Sequence, residues 1–281
     1  MFELQAAADP LQGSCKLPVT LGWVSRGLVM AGRHEEAAAT LSLLHRPLLA
    51  GPGEASDADA RAFGYLMSSG SSSTPHNKQQ REGWGDVERW GQRVMSRGFH
   101  ASARVLWEQR TLVSQLAVLQ QQLQSERPRD GGRESAQLAY LWLVVSAPRP
   151  VMLKELPGAL PQLLDALQGL ASSSLTGACE VLPPAVGVVE ELLKDEAWRP
   201  RLTERVEAVV GACMALCRFP RAAAVRAAAL RCLAIVATSM EWTALHSFSK
   251  QVRRVVDGCL DDPKRAVRLQ AVTTKHRWSH S

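Results

Sequence analysis

The stretch LDDPKRAVRLQAV (260–272) carries an acidic pair, a proline, a basic pair and a small apolar run within thirteen residues, and FPRAAAVRAAAL (219–230) half-repeats it. Val225-Arg226 and Val267-Arg268 stand 42 residues apart, which raises the possibility that the chain counts in units. In the later copy, Asp261 or Asp262 is placed to accept from the free backbone N–H groups at a helix start. Pro263 suits the first turn, where a missing donor does no harm. Val267 and Ala271, four residues apart, are expected to face inward, with Pro220 and Val225 in the same parts in the echo. Arg226 and Arg268 then lie one position off the buried stripe, at its edge.

Working outward, apolar residues recur with 4-3-4 spacing at Leu156, Leu160, Leu163, Leu167. The same spacing returns 46 residues later at Leu202, Val206, Val209, Cys213, and again 46 later at Phe248, Val252, Val255, Cys259. Leu164, Val210 and Val256 follow the third member of each copy. A further copy lies at Leu112, Leu116, Leu119, Leu123, and a more distant one at Leu17, Leu21, Val24, Leu28. Such spacing lines one stripe of an α-helix. Between the copies fall second stripes: Leu138, Leu141, Val145; Leu182, Val186, Val189, Leu193; and Val225, Ala229, Cys232, Val236. Each unit is therefore a helix pair, which buries both faces only by stacking on its neighbours. The expected fold is all-α, a HEAT/armadillo-type α-solenoid of stacked helix hairpins.

The bulk composition agrees. The chain has 281 residues, 46% apolar and 21% charged, with 5% aromatics, and it is rich in Leu and Ala. Its longest uncharged apolar run, around LAYLWLVVSAP, is about half the length a membrane span needs. MFELQAAADPLQGSCK lacks the apolar core of a secretory signal. Six scattered cysteines, four inside apolar helical patterns, read as reduced buried thiols of a cytosolic or nuclear protein. Net charge is +6, but residues 197–281 hold 15 Lys/Arg against 6 Asp/Glu, or +9, leaving 18 against 21, or −3, for the rest. That basic end suits an acidic partner surface or nucleic acid, or is simply a solvated helical face.

Turn-rich stretches fall between the stripes: AGPGEASDADA (50–60), SERPRDGGRE (125–134) and GLASSSLTGA (169–178). The expected organisation is N-terminal helical repeats over 1–67, a disordered low-complexity loop or insertion over 68–90, and HEAT-type repeats with a basic end over 91–281. Trp84 and Trp90 near that insertion could carry a linear motif, or the segment is a tolerated surface loop.

Signals for catalysis are missing. No glycine-rich phosphate loop or dinucleotide fingerprint occurs, and HEEAA (34–38) lacks the second His of a zinc-protease helix. Cys213 and Cys217, four apart, could place two thiolates on one face, yet Cys213 belongs to the buried stripe and reads as a small hydrophobe. His276 and His280 share that spacing without a third ligand. The expectation is a non-enzyme with no cofactor and no metal site. Helical repeats hold other proteins on extended surfaces. Nucleic acid is the competing partner, but aromatics such as Trp242 and Trp278 are not interleaved with the bases of the final third, so a stacking platform is lacking. An Asp at the turn and an Arg on the following helix, here Asp262 and Arg268, often bridge neighbouring HEAT units; the alternative is charge presented to a partner.

LDDPKRAVRLQAVTTKHRW (260–278) resembles the C-terminus of the methyl-methanesulfonate-sensitivity "nineteen" family. LGWVSRGLVMAGR (21–33), RAFGYLMSS (61–69), PRPVMLKELPGALPQLLDALQ (148–168) and VRAAALRCLAIVA (225–237) resemble stretches of the same family in the same order. The resemblance implies the C-terminal part of a longer HEAT-repeat scaffold, with no counterpart for 68–90. Its implied role is a non-catalytic adaptor of the cytosolic iron–sulfur protein assembly targeting complex, tied to DNA repair and found in cytoplasm and nucleus. The implied partners are a WD-repeat propeller, its small acidic subunit, and apo-protein clients such as helicases and polymerases. Asp261, Asp262, Lys264, Arg265, Val267 and Arg268 match the family's terminal repeat, and Lys264, Arg265 and Arg268 are the expected partner contacts. The cysteines match no cluster-ligand set, so the chain is expected to assist delivery without holding a cluster. The alternative is a generic HEAT interaction module of transport-receptor or phosphatase-scaffold type, with nucleic-acid binding behind it.

Overall fold

The 4-3-4 stripes become buried helix faces. The computed structural model describes residues 100–124 and 132–280, with scattered positions between 21 and 62. The 68–90 segment, Trp84 and Trp90 included, lies outside the described residues. Described elements are α1 (His100–Gln124), α2 (Gly132–Ser146), α3 (Arg149–Gly169), α4 (Thr176–Lys194), α5 (Arg199–Thr203), α6 (Val206–Leu216), α7 (Ala223–Ser239), α8 (Trp242–Cys259) and α9 (Arg265–His280). Short 3₁₀ turns at Leu170–Ser172 and Glu196–Trp198 join them, and no strand occurs among the described residues. None of these helices is long and apolar enough to cross a membrane. The fold is all-α.

The chain divides into two compact units, Met1–Ala159 and Leu160–Ser281, with the division inside α3. In the first unit α1 packs on α2, and Leu112, Leu116, Leu119 and Leu123 are all buried. Each fully buried leucine is worth about 1.5–3 kcal/mol over an exposed one. Leu138 and Leu141 of α2 are likewise buried, and the Tyr140 hydroxyl donates to the Ala159 carbonyl at 2.8 Å. The distant copy near the N-terminus turns out differently. Val24 is 46% exposed, whereas Ser25 is buried and its hydroxyl donates to the Ala37 carbonyl at 2.9 Å. At this point of the stripe the buried position is Ser25, one residue along from Val24, while Leu21 and Leu28 are half-buried.

The second unit is a stack of hairpins in two layers. Helices α6 and α8 pack side by side in one layer. In the other, α7 lies between α4 and α9, and α6–α7 and α8–α9 pair across the layers. Helix α7 therefore contacts neighbours on three sides, which explains why it is rich in alanine. Ala227, Ala228, Ala229, Ala234 and Ala237 are buried and let its neighbours approach closely.

Hydrogen bonds between successive hairpins fix the register. Thr274 Oγ1 donates to the Leu230 carbonyl at 2.9 Å, Trp278 Nε1 to the Leu233 carbonyl at 2.8 Å, and Cys232 Sγ to the Val186 carbonyl at 3.9 Å. Those sequence separations, 44, 45 and 46, are the period read from the sequence, now seen as contacts.

One stripe is split. Leu202 falls on α5 while Val209 and Cys213 fall on α6, because Arg205 leaves helical geometry at φ −119° and ψ 22°. The break follows an independently anchored start: Trp198 is buried just before α5, and the Arg201 guanidinium lies 5.4 Å from its ring centroid. Leu202, Val209 and Cys213 are nevertheless all buried.

Candidate partner-binding surface

The turn at 260–265 departs from the expectation: α9 starts at Arg265 with Lys264 as its cap residue, so Pro263 and Asp262 lie ahead of its first turn. Asp262 Oδ1 accepts from the Lys264 backbone N–H at 2.8 Å and closes the turn ahead of α9. Val267 and Ala271 are fully buried. The same Asp262 carboxylate takes a two-pronged contact from Arg226, at 2.6 Å from Nε and 3.1 Å from Nη2. Arg226 Nη1 also donates to the Phe219 carbonyl at 2.9 Å. Only 11% of the Arg226 side chain and 8% of Asp262 remain exposed. The hydrogen bond from Arg226 holds the Asp262 carboxyl below its ordinary value, against the opposing effect of burial.

Asp262 thus does bridge neighbouring hairpins, but backward to Arg226 of α7 and not forward to Arg268. Arg268 repeats the other half of Arg226's bonding: its Nη1 donates to the carbonyls of Asp262 at 2.7 Å and Pro263 at 3.1 Å, clamping its own turn. Where Arg226 also holds a carboxylate from the next hairpin, Arg268 holds none among the described residues.

The structure brings Lys264, Arg265 and Arg268 together at the exposed start of α9. Two apolar side chains accompany them that sequence reasoning missed: Leu269 is 69% exposed and Val272 58%. Counting back 42 residues gives Ala227 and Leu230 on α7, at 9% and 0% exposure, covered by α9. The outer face of α9 is therefore the counterpart of a face that, one hairpin earlier, is a repeat-to-repeat interface. The signal was available in the echo itself, since Ala227 and Leu230 stand in FPRAAAVRAAAL where Leu269 and Val272 stand in the later copy.

The cysteines behave as small core residues. Cys213, Cys217, Cys232 and Cys259 are free and buried, and Cys259 Sγ approaches the Cys217 carbonyl at 3.7 Å. The hydrogen bond with Cys259, with burial, pushes the Cys217 thiol up, and the bond with Cys213, with burial, does the same for Cys232. Among the described residues no three His, Cys, Asp or Glu converge as a metal site.

With this geometry in hand, comparison with known proteins is informative. Residues 6–237 match the family model MMS19_C, described as RNAPII transcription regulator C-terminal, which covers well over half of the chain. The chain belongs to the MMS19 C-terminal family. Relatives include the fission yeast (Schizosaccharomyces pombe) "DNA repair/transcription protein mms19", 30% identical over 150 residues, 53% of this chain and 14% of the relative. The Arabidopsis thaliana MMS19 nucleotide excision repair protein homolog is 23% identical over 185 residues, 66% of this chain and 16% of the relative. The human MMS19 nucleotide excision repair protein homolog is 27% identical over 282 aligned residues, 98% of this chain and 24% of the relative. The chain thus spans a quarter or less of the length of these relatives. The matched MMS19_C residues stop at 237, within α7, so the α9 surface lies past them, while the human alignment extends over nearly the whole chain.

Proposed function

We propose that this chain is part of a non-catalytic scaffold of the cytosolic iron–sulfur protein assembly targeting complex, serving DNA repair and replication. In this reading it works in cytoplasm and nucleus, and it helps pass clusters to apo-proteins such as helicases and polymerases. Membership of the MMS19 C-terminal family supports the repair connection, since relatives carry DNA repair and transcription in their names. The observation that carries the scaffold reading is the outer face of α9. Lys264, Arg265 and Arg268, at the start of α9, adjoin Leu269 and Val272 on a surface whose counterpart on α7 is a buried contact between repeats. Exposed apolar side chains next to cations are a combination found at protein interfaces. The partners assigned to it are the complex's WD-repeat propeller and small acidic subunit. The buried thiols of the second unit serve packing in this reading, and the cluster is cargo handled by the partners.

The test is affinity capture from cell extract, with identification of bound proteins by mass spectrometry. The unmodified chain is expected to retain the propeller and the acidic subunit, and the K264E/R265E/R268E variant to lose both. Equal capture by the two chains would remove α9 from the interface, and absence of both partners from either would sink the scaffold reading.

A further inference from the structure

Away from α9, the other helical layer of the second unit carries a groove of about 610 Å³. Its apolar floor is Met214, Ala215 and Val255, and its cationic walls are Arg218 of the loop after α6 and Lys250 and Arg254 of α8. Gln168 and Gln251 add amides, and no carboxylate lines it. Elsewhere in this unit several cations find acids. Lys194 and Arg231 share Glu190, Arg199 meets Glu196, Lys275 meets Asp257, and Arg226 meets Asp262. Arg218, Lys250 and Arg254 form no such ion pair among the described residues, although all three are exposed and converge on one concavity. Like charges gathered without a counter-charge repel one another, and an anionic occupant relieves that repulsion.

We infer that this groove is a second docking site, and that its occupant is a short acidic peptide segment of a partner protein with apolar residues among its carboxylates. The inference rests on the scaffold reading for the existence of protein partners but uses a different helical layer. Arg218 and Arg254 offer the planar forks that suit carboxylates, Lys250 adds a point charge, and the glutamine amides are placed for peptide backbone. The Met214–Ala215–Val255 floor takes apolar side chains, with Met214 adaptable in shape. Nucleic acid fits less well. The lining contains no aromatic residue for base stacking, and three cations confined between neighbouring helices do not form a track along a phosphate backbone.

The experiment is fluorescence anisotropy on the full chain, with a labelled decapeptide of aspartate, glutamate and interspersed leucine and, separately, a single-stranded oligonucleotide of fifteen nucleotides. Two variants alter the same number of charges: R218E/K250E/R254E in the groove and K264E/R265E/R268E on α9. Nonspecific attraction to a basic protein falls equally in both; groove binding falls only in the first. The expected result is at least a tenfold loss of peptide affinity in the groove variant, and less than a twofold change in the α9 variant. The neutral variant R218Q/K250Q/R254Q, whose exposed substitutions leave the core intact, should lose affinity in the same direction. Equal losses in the two charge-reversed variants would overturn the proposal, as would oligonucleotide binding that outcompetes the peptide and vanishes with the groove charges. The α9 variant separates failures: partner capture lost with peptide binding kept leaves the scaffold reading intact, whatever the groove result.

Discussion

Removing the Asp262 carboxylate tests whether the hairpin stack is held by the pairing described above. The Arg226–Asp262 pair is bidentate and nearly dry, with 11% and 8% of the two side chains exposed. Losing one partner of a buried pair costs about 3–5 kcal/mol, whereas exposed pairs are worth about 0.2–1 kcal/mol. Asp262 also accepts from the Lys264 N–H in the turn ahead of α9, a hydrogen bond worth about 1 kcal/mol. Asp262→Asn keeps an acceptor for that bond and is expected to cost about 3 kcal/mol, and Asp262→Ala about 4 kcal/mol. In a stacked repeat the loss concentrates where the contact is made, between α7 and the α8–α9 hairpin. Amide hydrogen exchange should therefore show protection in α9 falling by about a hundredfold in Asp262→Asn, since about 1.4 kcal/mol is a factor of ten, with α4 changing far less. A double-mutant cycle with Arg226→Met, read by urea denaturation, should give a coupling of about 2–3 kcal/mol. A coupling below about 0.5 kcal/mol, the value of a solvated surface pair, would refute the reasoning, as would equal loss of protection in α4 and α9.

Further outcomes follow from the same geometry. Because Arg226 holds the Asp262 carboxyl below its ordinary value of 3.8, the carboxylate's stabilisation is present above about pH 4 and is lost as pH falls through the lowered folded value. The stability gap between the unmodified chain and Asp262→Asn, from urea melts at pH 7 down to pH 2.5, should narrow over that range; a widening gap would contradict it. Trp278→Phe keeps most of the buried ring but abandons the bond to the Leu233 carbonyl, and should cost about 1–3 kcal/mol in the same melts. Treatment of the native chain with a thiol-reactive reagent near pH 8 should modify the half-buried Cys179 well before the buried Cys217 and Cys232, as peptide mapping would show.

The repeat itself was legible because burial imposes its period on the sequence. Leu156, Leu160, Leu163 and Leu167 are buried and apolar, and so are Leu202, Val209 and Cys213 one hairpin later. What periodicity could not supply was the place where one helix becomes two, since Leu202 and Cys213 keep their spacing and burial across the break at Arg205. Nor could it resolve a serine that enters the core through a single hydrogen bond, as Ser25 does opposite Ala37. Partner identity was the other gap. Lys264, Arg265 and Arg268 stand close in sequence and surface together, but Arg218, Lys250 and Arg254 meet only once α6 and α8 lie side by side. A charge pattern along the chain shows the first cluster and hides the second.

Arg226 and Arg268 show why one motif supports two readings. Both follow a valine that enters the core, and both tie their guanidinium to carbonyls five to seven residues back. Clamping the turn is therefore a local task that each copy performs for itself. Gripping the following hairpin needs a carboxylate from elsewhere, and only Arg226 has one among the described residues. The arginine thus has a local role whether or not its remaining donors are used, and the sequence reads the same in both cases. What differs is the company it keeps: alanine at 227 beneath a packed neighbour, leucine at 269 on an open face. A closed repeat interface favours small residues that let helices approach, whereas a large apolar side chain left exposed beside cations that hold no carboxylate among the described residues costs solubility unless something covers it. That asymmetry, Ala227 against Leu269, is the physical argument for reading the second copy as a docking surface.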